Sequence, residues 1–202
     1  MLMNTFVVIS SPSGGGKDAV IRKLMTIFPN SGRLVTTTSR QLRQNDVDGV
    51  NYNFVSKEDF EIKINHNEFI EHNFYNGNYY GVDRVVLDET LQKYGVVFTN
   101  IDVNGKANLD KKNIEHLSIF LLPESLDILE NRIKKRGGVS EEDLLERLKT
   151  AEKEIEMADN YDYKVVNKEG QIDVAVSEIV EIIKNHLITP DTKSGSRSTH
   201  RG

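Results

Sequence analysis

Cysteine and tryptophan are absent from the 202 residues, proline occurs four times, and neither a long apolar run nor a surplus of basic charge is present. Without cysteine, a disulfide scaffold, a zinc ribbon, an iron–sulfur cluster and thiolate catalysis are excluded, and a reducing compartment is compatible. A membrane helix needs about 18 consecutive apolar residues. The run near the N-terminus, Phe6-Val7-Val8-Ile9, is only strand-sized, so no membrane partner is expected. Met1 to Asn4 holds no basic segment, so no secretory leader is expected and a cytoplasmic location is. Acidic residues outnumber Lys plus Arg by 31 to 26, a formal net charge of -5, which argues against binding long nucleic acid. The five histidines, at 66, 72, 116, 186 and 200, show no metal-ligand spacing.

The 38% hydrophobic and 28% charged residues are those of a folded globular chain, long enough to bury a core in one domain with small inserted lobes. Thr5 to Ser11 reads as a buried strand, and Ser-Pro-Ser-Gly-Gly-Gly ends it. From Lys17, apolar Val20, Ile21, Leu24, Met25 and Phe28 recur at helical spacing up to Pro29. Leu34 to Thr38 predicts a further strand, and residues 39–51, holding Arg40, Arg43 and Asp48-Gly49, a functional loop or hairpin. Ser56 to Asp59 has a capping-box pattern and opens a helix carrying Phe60, Ile62 and Ile64. Phe69 to Tyr80 alternates around Asn76-Gly77 as a hairpin does.

An α/β rhythm then returns. Helices are expected near 83–94, 104–111 and from Glu124, with strands at Val96 to Ile101, Leu117 to Leu122 and Tyr163 to Asn167. Ser140 caps a helix whose buried stripe is Leu144, Leu148, Ala151, Ile155 and Ala158, while the acidic residues of 141–159 read as its exposed face. A last helix is lined by Ile172, Val176, Ile179, Val180, Ile183 and Leu187, and residues 190–202 are expected to be a disordered tail. Continuous apolar strands alternating with helices predict an α/β fold, a parallel sheet with helices on both faces.

Ser11-Pro-Ser-Gly-Gly-Gly-Lys-Asp18 lies close to the phosphate-loop pattern G-x-x-x-x-G-K-[ST]. Glycines let backbone N–H groups turn around a polyphosphate, the helix start adds positive dipole, and Lys17 reaches the outer phosphates. Ser11 stands where the first glycine is expected, and Asp18 where a hydroxyl ordinarily meets Mg²⁺; a carboxylate is also a hard ligand for that ion. The loop implies a nucleoside triphosphate without choosing a reaction, and the N-K-x-D element of a GTPase is missing.

Three further stretches bear on that choice: Thr37-Thr-Ser-Arg40-Gln-Leu-Arg43, Asp48-Gly-Val-Asn-Tyr52-Asn-Phe54, and Asn67-Glu-Phe-Ile-Glu71 with Gly77-Asn-Tyr79-Tyr80-Gly81. With the phosphate loop, and from about Thr5 to Leu187, they resemble the guanylate kinase family, ATP:GMP phosphotransferases. The resemblance implies a P-loop NTPase-type core (1–35 and 89–189), an inserted mixed α/β GMP-binding lobe (about 36–88) and a helical lid (about 133–150). It makes Arg40, Arg43, Tyr52 and Tyr80 the ligands of the GMP phosphate, and turns Thr36, Glu71 and Asp102 toward the guanine. It assigns Ser13, Gly14, Gly15, Gly16, Lys17 and Asp18 to ATP, with Asp18 also on Mg²⁺. Arg132 and Arg136, four apart, and Arg147 would close over the transferred phosphoryl group, so that Lys17, Arg43, Arg132, Arg136 and Arg147 carry catalysis.

Two more positions depart from the family pattern: Val82 for a hydroxyl residue and Asn100 for an acidic one. The implied activity is phosphorylation of GMP and dGMP by a monomer or homodimer in purine nucleotide metabolism. A non-catalytic interaction domain of the same fold, and a kinase for another phosphorylated small molecule, stay open as alternatives. Lys17 and the lid arginines speak against the first, and Glu71 and Asp102 against the second.

Overall fold

The computed structural model describes residues 4–43, 46–75, 77–135, 137 and 140–188. Elements follow in the order β1 (Thr5–Ser10), α1 (Lys17–Ile27), β2 (Ser31–Arg33), β3 (Thr37–Thr38), β4 (Asn53–Phe54), α2 (Lys57–Asn65), β5 (Phe69–Tyr75) and β6 (Asn78–Asp83). They continue with α3 (Arg84–Lys93), β7 (Val96–Thr99), α4 (Val103–Lys111), β8 (Leu117–Pro123), α5 (Leu126–Lys135) and α6 (Glu141–Glu156). A 3₁₀ turn (Met157–Asn160), β9 (Tyr163–Asn167) and α7 (Ile172–Ile188) complete them.

The main sheet has the order β2-β7-β1-β8-β9 and every pair is parallel. Side chains alternate across a strand, so β1 sends Val7 and Ile9 to one face and Phe6 and Val8 to the other. The first pair packs with Ile21 and Leu24 of α1 and Ile179 and Ile183 of α7. The second packs with Leu87, Val97 and Leu109, and with Ile70 and Val82 of the smaller sheet. That four-stranded sheet, β4-β3-β6-β5, therefore shares a core with the main one, and its β5–β6 hairpin slips register between Phe69 and Glu71. Among the described residues no helix is long and apolar enough to cross a membrane.

Both predicted serine caps form: Ser56 accepts from Asp59 N–H and Ser140 from Asp143 N–H. The single strand expected over Leu34 to Thr38 does not. The chain leaves the main sheet after β2, keeps Leu34 in the core with its N–H donating to Phe98 O at 2.8 Å, and enters the smaller sheet only at β3. An apolar run signals extended backbone but not which sheet receives it. Of the apolar residues of α2, Phe60 is buried and Ile62 is exposed, because residues two apart lie about 200° apart around a helix. Asn76 of the hairpin and the tail from 190 lie outside the described residues.

Candidate active site

β1 ends at Ser10 and α1 begins at Lys17, so the glycine-rich stretch is the strand-to-helix turn that a phosphate loop requires. Gly16 has φ +94°, open to glycine at little cost, and a Cβ there would lie 2.7 Å from Asn167 Nδ2. No side chain caps α1. Lys17 Nζ donates to Ser11 O at 2.7 Å and to Ser11 Oγ at 3.2 Å, so the serine in the place of the first glycine holds the lysine across the loop. Gly14 packs beneath Leu129 and Ile133 of α5, and Asn167 Nδ2 at the end of β9 donates to Gly15 O at 2.9 Å.

A cleft opens from this loop toward the smaller sheet. Ser13 and Lys17 line its loop end; Thr36 just before β3, Glu71 of β5 and Asp102 at the N-cap of α4 line it further; Tyr52 and Tyr80, with ring centroids 5.9 Å apart, line it as well. Seven residues separated in sequence by up to 89 positions thus meet, counted from Ser13 to Asp102.

Glu71 is buried and its Oε2 has no hydrogen-bond partner. Burial first, then the charge of Asp102, pushes its carboxyl up to about 8. The backbone of α4 presses on it, since a Cβ at Gly105 would lie 3.2 Å from both carboxylate oxygens. Asp102 caps α4 by accepting from Gly105 N–H at 2.8 Å, and its Oδ2 accepts from Asn73 Nδ2 at 3.0 Å. Val82 is fully buried in the core shared with Phe6 and Val8.

The arginines stand around this cleft rather than in its wall. Arg40 is one ring away, its guanidinium 5.5 Å from the centre of Tyr52 and 5.4 Å from that of Phe54. Its Nη2 pairs with Asp46 Oδ2 at 2.7 Å, and the same oxygen accepts from the backbone N–H of Arg43 at 2.8 Å, while the Arg43 side chain is exposed. Arg132 pairs with Glu169 at 2.7 Å and donates to Asn167 O at 3.1 Å, which ties α5 to the strand end that steadies the phosphate loop. Arg147 is half-buried on α6, where its charge acts on Tyr75, a cleft residue. Arg136 lies outside the described residues.

Glu154 corrects the expectation that the acids of 141–159 form a solvated face. It is 7% exposed, lines the cleft, and keeps Oε2 without a partner. Burial drives its carboxyl up to about 7 against the pull of Lys17. Its signal lay in the spacing: Ala151, Glu154 and Ala158 fall at i, i+3 and i+7 on one helix face. Asn73 and Tyr75 of the cleft, and Asn167 behind the loop, had no motif to mark them.

Asp18 is half exposed, and its Oδ1 accepts from Arg33 at 2.6 Å and from Asn100 at 3.2 Å. Among the described residues no group of three or more acids and histidines could hold a metal alone. Mg²⁺ commonly keeps waters and takes one or two carboxylates with substrate phosphates, so a single carboxylate such as Asp18 is a donor set that fits a cation arriving with a nucleotide.

The family model described as guanylate kinase matches residues 3–186. The guanylate kinase of Chlorobium luteolum is 38% identical over 187 residues, 92% of this chain and 94% of that one. That of Oceanobacillus iheyensis is 42% identical over 181 residues, 89% of this chain and 87% of that one. Among solved structures, the guanylate kinase from Anaplasma phagocytophilum is similar with a TM-score of 0.76 and 30% identity, covering 93% of this chain and 88% of that one. Phosphate loop, parallel sheet and sequence relatives agree, and the chain belongs to the guanylate kinase family.

Proposed function

We propose that the protein transfers the terminal phosphoryl group of ATP to GMP, and to dGMP, with Mg²⁺, as a cytoplasmic enzyme of purine nucleotide metabolism. The observation that carries this reading is the buried carboxyl of Glu71, whose Oε2 has no hydrogen-bond partner, in the same cleft as Lys17. As a carboxylate it accepts from guanine N1–H and the 2-amino group together; adenine offers an acceptor at N1 and no such amine. A buried acceptor left unpaired by the wrong base discriminates by about 10⁴ or more.

The acceptor phosphate lies against Tyr52 and Tyr80, with Arg40 and Arg43 supplying guanidinium forks suited to a dianion. Ser13, Gly14, Gly15 and Gly16 surround the donor phosphates, and Lys17 exchanges Ser11 for a phosphate oxygen. Arg132 and Arg147, with Arg136, approach the group in transfer as the lid of 133–150 and the lobe of 36–88 close. Asp18 would hold the cation, whose chemistry there is to neutralise charge on the donor oxygens. The attacking atom is a phosphate oxygen that is already ionised, so no general base is needed, and closure excludes water as a competing acceptor.

The test is ADP formation from ATP and Mg²⁺ with GMP, dGMP, AMP, UMP and CMP in turn. GMP and dGMP are expected to be used and the others not. A preference for AMP or UMP would overturn the guanine assignment, and ATP binding without transfer to any nucleotide would turn the reading toward an interaction domain.

A further inference from the structure

Two departures from the family pattern, Asp18 and Asn100, are far apart in sequence but share one partner. Arg33, the last residue of β2, donates from Nη2 to Asp18 Oδ1 at 2.6 Å and to Asn100 Oδ1 at 3.1 Å, and Asn100 Nδ2 donates to Asp18 Oδ1 at 3.2 Å. The three side chains close a triangle beside the phosphate loop. Within the ion pair the guanidinium is the more buried partner, with the Arg33 side chain 16% exposed against 53% for Asp18. Nε of Arg33 is buried and unpartnered, so Nη2 is where this side chain spends its charge-assisted hydrogen bonds. Asn100 lines the nucleotide cleft, and the Tyr52 hydroxyl there senses the charges of both Asp18 and Arg33.

A phosphate loop gathers positive ends around a polyanion. A carboxylate on the residue after Lys17 opposes that, since like charges at such range repel unless something offsets them. We infer that Arg33 is a positioning residue of the phosphate loop: with Asn100 it holds the Asp18 carboxylate to one side and neutralises it, which makes an acidic residue tolerable beside a polyphosphate. This rests on the proposed binding of ATP at the loop. A divalent cation on Asp18 would do part of the same work, so the need for Arg33 is greatest when no such cation is present.

The experiment is calorimetric titration of ATP into the whole protein, once with EDTA and once with Mg²⁺, for the wild type, Arg33→Ala, Asp18→Asn and the double variant. Arg33→Ala is expected to weaken metal-free ATP binding by about five- to tenfold, an effect moderated by the exposure of Asp18. The loss should shrink with Mg²⁺ and vanish in the Asp18→Asn background. Unchanged metal-free binding in Arg33→Ala, or an equal loss whether or not Asp18 is charged, would overturn the inference. Absence of ATP binding in the wild type under both conditions would instead overturn the reading of the loop. Unfolding midpoints check that the variants fold, and if Arg33→Ala does not, Arg33→Gln removes the charge while keeping the stem and serves in its place.

Discussion

Asn167 donates its side-chain amide to the carbonyl of Gly15, 152 residues earlier in the chain, at 2.9 Å. The end of the last strand of the sheet thereby fixes the shape of the loop that follows the first. The same nitrogen would lie 2.7 Å from a Cβ at position 16. Asn167→Ala should raise the KM for ATP by about three- to tenfold, the loss of one buried hydrogen bond, and leave the KM for GMP unchanged. Gly16→Ala combines a left-handed backbone with a collision and should abolish ATP binding in a protein that still unfolds cooperatively.

Glu71→Gln changes an acceptor-only group into one that also presents a donor to the base. GMP turnover should fall by at least about a hundredfold while ATP affinity holds, because a purpose-built polar contact is left mismatched. In the wild type the free carboxyl is held at about 8 by burial and by Asp102. GMP requires the ionised form, so its affinity should strengthen from pH 6 to pH 8, then level off. Titration of GMP across that range reads the slope, which should disappear in Glu71→Gln.

Stability should depend on pH through Glu154. Its carboxyl stands near 7 in the folded protein against an ordinary value of 4.5. The folded state therefore holds a proton that the unfolded chain has already released between those values. The stability this confers is complete below about pH 4.5 and is lost as pH rises through 7, on the order of 3 kcal/mol in all. Denaturant unfolding at pH 5 and pH 8 should show Glu154→Gln to be more stable than the wild type at pH 8, with the advantage much reduced at pH 5.

Arg40 combines an ion pair to Asp46 with stacking over Tyr52 and Phe54. Arg40→Lys keeps the charge but not the planar fork, so the KM for GMP should rise by about tenfold with ATP binding intact. Equal KM values for GMP in the two proteins would remove Arg40 from the acceptor site.

Four strands of the main sheet, β1, β7, β8 and β9, and the capped helices were legible because each is written locally, whereas β2 at Ser31–Arg33 has no apolar run and was missed. Val7 to Ile9 is an unbroken apolar run, and Ser56 and Ser140 each stand three residues before an acidic residue. The two-residue strands Thr37–Thr38 and Asn53–Phe54 carry too few positions for a period to show, and only their partners define them. Lys17, Tyr52, Glu71 and Tyr80 could be named from motifs and do line one cleft. Glu154 belongs to no motif, and although its spacing to Ala151 and Ala158 sets it on the buried face, its place in the cleft is decided only when the opposite wall is there.

Residue order alone was enough to establish the phosphate loop, the α/β alternation and the family resemblance, because spacing and turn chemistry are properties of neighbouring residues. Charge state and partnership were settled by packing. Asp18 and Asn100 look like two separate departures until Arg33 is found bonded to both, and Glu71 and Glu154 look like ordinary acids until burial raises their carboxyls well above the usual range. The physical reason is common to these cases: desolvation and Coulomb energy depend on distance and on access to water, and contacts that join residue 18 to residue 100 exist only after folding.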